Sequence, residues 1–102
     1  MQWRDVPGFE GLYQVSTEGQ IRNYNTWRVL RPRMARDGSL LVNLSAFGEH
    51  KTHILHRLVA KVFVRQPDGK PYIKHKDGNK LNNASDNLYW THSKRPTKRF
   101  VS

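Results

Sequence analysis

The hydrophobic period changes twice along the 102 residues, and this constrains the fold more than any other feature. Up to residue 55 the apolar side chains recur at every second position in short runs between turn residues. Over residues 56–63 they recur with helical spacing, and from residue 71 period 2 returns. Pro7-Gly8, Glu10-Gly11 and Glu18-Gly19 punctuate the first third, bounding strands at 13–16 and 20–24. A further strand is expected at 27–30, with Pro32 excluding a long central one. Asp37-Gly38 is a hairpin turn that opens 39–47, where Leu40, Val42, Leu44 and Ala46 share one face. Gly48-Glu49-His50 is expected to turn the chain into a strand over 52–55. In His56–Phe63, Leu58, Val59, Val62 and Phe63 share a helical face, and Arg57 and Lys61 another. Strands at 71–75 and 87–92 then flank a polar connection. The fold class is α+β: a small β-meander, one short helix and a two-stranded ribbon.

Charge says what such a fold meets. Eighteen Lys and Arg stand against eight Asp and Glu, a net charge of +10. Residues 1–51 hold 7 basic and 5 acidic side chains, or +2; residues 52–102 hold 11 and 3, or +8. That asymmetry points to a polyanion. No apolar run approaches the length of a membrane span, and the N-terminus lacks the apolar stretch of a signal peptide. With no cysteine there is no disulfide framework and no thiolate metal site. A cytoplasmic location is the resulting expectation.

The chemistry-bearing stretch is Tyr72-Ile73-Lys74-His75-Lys76-Asp77-Gly78-Asn79-Lys80-Leu81-Asn82-Asn83, continuing to Asn87-Leu88-Tyr89-Trp90. It resembles the HNH motif of phage and intron-borne homing endonucleases. His56-Arg57-Leu58-Val59-Ala60 followed by Phe63 resembles the helix leading into that motif. Trp3-Arg4, then Val6 to Ser16 and Gly19, resembles the small N-terminal module often joined to such nucleases. The resemblance spans residues 3–92 and divides the chain into a β-rich module (1–55), an HNH-like region (56–92) and a basic tail (93–102). It implies a bacterial host cell, with a phage or mobile element as the source.

The resemblance also implies roles. His75, at the end of a strand, is the general base, and an imidazole's usual pKa near 6.5 suits proton transfer at neutral pH. Asn87, twelve residues on, braces the loop and fixes the histidine. Asp77-Gly78 forms the tight turn, and Asn82-Asn83 bond within the loop. A divalent metal, Mg or Mn, or Zn, polarises the scissile phosphate if the protein is catalytic; otherwise no cofactor is implied. Two positions depart from the family pattern. Lys74 stands where an acidic or amide metal ligand is usual. Pro96 stands where an Asn or His on a final helix is usual, so that helix reads as degenerate or missing. His92, with Asp77 or Asp86 as an oxygen donor, is the substitute metal ligand set that remains.

Arg28, Arg31, Arg33, Lys74, Lys76, Lys80, Lys94 and Arg95 are the candidate nucleic-acid contacts. Arg31 and Arg33 would share a face of a strand pair and lie along a DNA groove. Trp3, Trp27, Tyr72, Tyr89 and Trp90 stack on bases or fill the core. His50, His53 and His56 cap or pack, because they lack a third metal-ligating partner. Two functions of different class follow. One is a metal-dependent DNA endonuclease. The other is a catalytically degenerate module that binds DNA or RNA, or inhibits an acidic protein partner.

Overall fold

A computed structural model describes residues 1–92. Three short antiparallel strands open the chain in the order β1 (Trp3–Asp5), β2 (Tyr13–Ser16) and β3 (Ile21–Asn23). β1 has no strong apolar alternation of its own and forms by pairing, with Trp3 opposite Ser16 and Asp5 opposite Gln14. Val6 and the alternating Tyr13, Val15 and Ile21 are buried beneath this sheet.

The expected strand at 27–30 is not one. Val29 makes an isolated bridge to Arg22, supported by Leu30 N to Ile21 O at 2.7 Å. The reason is local. The Asn23 side chain accepts hydrogen bonds from the amides of Asn25 and Thr26 and coils the chain there. Trp27 then adopts φ +62°, which no strand accommodates.

The second sheet runs β4 (Arg33–Met34), β5 (Leu40–Ala46) and β6 (Glu49–Ile54), again antiparallel. Asp37-Gly38 makes the expected turn between β4 and β5, with Ala35 N bonded to Ser39 O. The next turn falls on Phe47-Gly48, one residue earlier than the sequence predicts. Ala46 pairs with Glu49, so only two residues remain to reverse the chain, and both take left-handed φ values of 55° and 81°. β6 is correspondingly longer than expected.

β6 runs into helix α1 (Leu55–Phe63) without a loop. Leu55, Leu58, Val59 and Ala60 are its buried face. Each fully buried aliphatic there contributes roughly 1.5–3 kcal/mol of transfer free energy. A ribbon of β7 (Tyr72–His75) and β8 (Leu88–Thr91) completes the fold, with a 3-10 turn at Ser85–Asn87 leading into β8. Ile73, Leu88 and Trp90 lie on the face of the ribbon that packs inward, and the Trp90 indole N–H donates to Val64 O at 2.9 Å. One buried cluster runs from Val6 through Val42, Leu44 and Val59 to Leu88 and Trp90. The helix is its hub, touching β2, β5, β6, β7 and β8. Among the described residues no helix is long and apolar enough to cross a membrane.

Pro96, Lys94 and Arg95, and with them the expectation of a degenerate final helix, lie outside the described residues.

Candidate active site

His75 ends β7 opposite Leu88, and the polar connection begins one residue later. That connection is a self-bonded loop. Asp77 Oδ1 accepts from Asn79 N at 2.8 Å and from Asn87 Nδ2 at 2.9 Å, and Asp77 Oδ2 accepts from Asn82 Nδ2 at 2.9 Å. These bonds hold the Asp77 carboxyl at about 2, the side-chain bond from Asn82 being the largest cause. Asn87, buried at the foot of the loop, also donates to Asn82 O at 2.8 Å and accepts from Asp77 N at 3.3 Å. Its own carbonyl accepts from Lys76 N at 2.7 Å. It therefore joins both limbs of the loop.

The imidazole of His75 is fixed by a residue that sequence reasoning placed elsewhere. Asn83 Oδ1 lies 2.7 Å from His75 Nε2. An amide oxygen only accepts, so Nε2 carries the hydrogen and Nδ1 carries the lone pair. Nδ1 makes no hydrogen bond among the described residues. Of the pair Asn82-Asn83, only Asn82 bonds within the loop; Asn83 is 3% exposed and turns to the histidine. Asn83 is also clamped from the N-terminal sheet. A Cβ on Gly19 would stand 2.6 Å from the Asn83 carbonyl oxygen, and Ser85 N donates to Thr17 O at 2.7 Å.

His56 opens α1 and meets His75 edge to face, with ring centroids 5.1 Å apart. Its Nδ1 is buried without a partner. Burial first, then the neighbouring His75, pushes its pKa down to about 4, so it is neutral at physiological pH. Burial likewise lowers His53, which packs edge to face on Phe9. Both histidines pack, as the sequence suggests, but His56 packs against the proposed base.

These shifts set an acid response. An unfolded histidine binds a proton near pH 6.5, whereas folded His56 resists until about pH 4. Stability is therefore full above about pH 6.5 and is lost as the pH falls to about 4. Asp77 adds a further loss from its ordinary range down to about pH 2. Urea melts at stepped pH will show the first decline, and His56→Leu will flatten it. An unchanged decline in that variant would show that His56 is not its source.

The register decides which other candidates meet His75. Lys74 pairs with Tyr89, so it emerges on the ribbon face opposite His75. It does not project into the site as its place in the motif suggests. His92 lies four residues beyond Leu88, about 13 Å along the ribbon from His75, and is exposed. The possible His75–His92 pair is thus not assembled, and both Asp77 oxygens already bond within the loop. Among the described residues no three His, Asp or Glu side chains stand together as a metal-holding group. The donor set of residues 1–92 does not fit a divalent ion by itself.

Of the basic candidates, Arg28, Arg31 and Lys76 are exposed. Arg31 lies outside β4, so it does not share a strand face with Arg33. Arg33 Nη2 donates to Thr52 Oγ1 at 3.3 Å, and Lys80 Nζ donates to Asp37 O at 2.7 Å, tying the loop to the β4–β5 turn.

Comparison with known proteins places this geometry. Residues 1–45 match the NUMOD4 motif. The DNA endonuclease I-HmuI of Bacillus phage SP01 is 39% identical over 94 residues, covering 92% of this chain and 54% of that protein. An HNH endonuclease of Acanthamoeba polyphaga mimivirus is 41% identical over 101 residues, covering 99% of this chain and 30% of that protein. The chain thus spans about half the length, or less, of the curated relatives it matches. A solved structure described as DNA binding and cleavage by the HNH homing endonuclease I-HmuI superposes with a TM-score of 0.81 at 40% identity. That superposition covers 89% of this chain and 52% of the other. With a NUMOD4 motif in its first half and the His75 loop in its second, the chain is similar to the HNH homing endonucleases.

Proposed function

We propose that the chain hydrolyses phosphodiester bonds of DNA, with His75 as general base. The observation that carries this reading is the bond from His75 Nε2 to Asn83, which leaves Nδ1 as the proton acceptor. In the step, Nδ1 takes a proton from water as the water oxygen attacks phosphorus. The P–O bond to the leaving oxygen breaks, and that oxygen takes a proton from solvent. Neutral His56 adds no positive charge of its own beside His75. Asn87 and Asp77 hold the loop, and exposed basic residues such as Arg28, Arg31 and Lys76 meet the phosphate backbone. The setting is the cytoplasm of a phage-bearing host.

A second reading has its own support. The donor set of residues 1–92, which does not by itself fit a divalent ion, favours a module that grips DNA without cutting it. Supercoiled plasmid separates the two, incubated with Mg, Mn or Zn beside His75→Ala. The endonuclease reading expects nicking that falls roughly 10²–10⁴-fold in the variant while DNA affinity is kept. Binding with no nicking under any metal would sink the endonuclease and leave the binding module.

A further inference from the structure

The outer face of the first sheet carries a guanidinium that the rest of the protein has prepared for a ligand. Asp5, Gln14 and Arg22 stand in one row across β1, β2 and β3. Gln14 Nε2 donates to Asp5 Oδ1 at 3.3 Å, which orients the amide; Gln14 Oε1 then accepts from Arg22 Nε at 2.9 Å. The guanidinium carbon lies 4.0 Å from the Trp3 ring centroid and 3.9 Å from that of Trp27. Two indoles and an amide thus fix the plane of one side chain whose freedom in solution is otherwise large.

What is missing is a counter-charge. No carboxylate pairs with Arg22 among the described residues. Among the described residues Nη1 and Nη2 have no hydrogen-bond partner, and neither is a buried unpartnered atom. Trp27 is equally unexplained by folding. It is 66% exposed and sits at φ +62°, a sterically costly conformation for a side chain of its size. The Asn23-capped loop holds it there, and its contact is the Arg22 stack. A strained, exposed tryptophan that pre-sets a guanidinium serves recognition rather than stability.

We propose that Trp3, Arg22 and Trp27 form a pre-set clamp for one backbone phosphate of duplex DNA. Nη1 and Nη2 donate in parallel to two phosphate oxygens, the planar fork that arginine presents and lysine lacks. The net charge of +10 and the exposed Arg28 beside Trp27 favour a polyanion here. The clamp rests on the proposal that DNA is the partner, and deepens it by naming a contact remote in sequence from His75.

The test is equilibrium binding of the whole chain to a duplex across a salt series. Arg22→Gln is expected to weaken binding on the order of tenfold and to flatten the log K against log salt slope by about 0.9, one phosphate. Arg22→Lys keeps the charge, and hence the slope, but loses the fork and the stacked plane, and so still weakens binding. Trp27→Ala frees the guanidinium without removing it, and weakens binding with the slope unchanged. Circular dichroism and thermal melts of each variant establish that the fold is kept. Duplex affinity and slope unaffected by Arg22→Gln would overturn the clamp. So would weakened binding confined to single strands in Trp27→Ala, which would assign the tryptophan to base stacking. Failure of the wild-type chain to bind duplex even at low salt would instead overturn the proposed DNA partner.

Discussion

Gly19→Ala is expected to lower unfolding stability by about 2–5 kcal/mol and to disable the site, although Gly19 lies 56 positions before His75. Two costs combine. Gly19 has φ +85°, where a Cβ costs roughly 1–2 kcal/mol. That Cβ would also stand 2.6 Å from the Asn83 carbonyl oxygen and 2.7 Å from its carbon, so backbone must move. Asn83 is the residue whose side chain fixes His75 Nε2, and the shift therefore reaches the imidazole. Urea unfolding measures the first effect, and plasmid nicking under conditions where the variant remains folded measures the second. Asn83→Leu separates them, since it removes the acceptor without the backbone clash. Wild-type stability in Gly19→Ala would show that the seam between the first sheet and the loop is slack.

Asn87→Ala removes two donated bonds and one accepted bond at a buried position, and is expected to cost about 2–4 kcal/mol. The limbs of the loop then separate, so nicking falls while duplex binding is largely kept. A signature beyond destabilisation accompanies this. Asp77 loses one of the hydrogen bonds holding its carboxyl at about 2, so its titration by carbon NMR should move upward in the variant. Asn79 N and Asn82 still hold it, so the shift is partial. An Asp77 titration unmoved by the substitution would show that Asn87 is not the brace.

Much of the frame was legible because it is written in near neighbours. The change from period 2 to helical spacing marks α1, and alternation marks β5, because a helix or strand repeats within a few residues. Asp37-Gly38 announces its turn for the same reason. The ordered motifs of residues 3–19, 56–63 and 72–90 carry the resemblance to the HNH homing endonucleases, and the superposition agrees with it. Legibility ends where one segment depends on a distant one. β1 has little pattern and exists by pairing with β2. Residues 27–30 look extended, yet the Asn23 side chain coils residues 25 and 26 before them and Trp27 takes a left-handed φ. Phe47 looks like the end of a strand, yet the pairing of Ala46 with Glu49 makes it a turn residue.

The site divides along the same line. His75 as candidate base and Asn87 as brace follow from their places in the motif. That His56 faces His75 has no local signal, since nineteen residues and a helix-to-ribbon packing separate them. Asn82 and Asn83 both read as bonding within the loop, and only the packed structure turns Asn83 to His75. Lys74 adjoins His75 in sequence and leaves on the opposite face, because a strand alternates its side chains. Arg22 reads as one arginine among five in residues 22–36 until β1, β2 and the Trp27 loop surround it.

By itself, the sequence determined the α+β class, the family resemblance and the excess positive charge, all carried by composition and short-range order. The tertiary structure alone decided which imidazole nitrogen is free, which glycine supports the site and which arginine is held ready. Those depend on atoms brought within a few ångströms by packing, and no spacing along the chain records such distances.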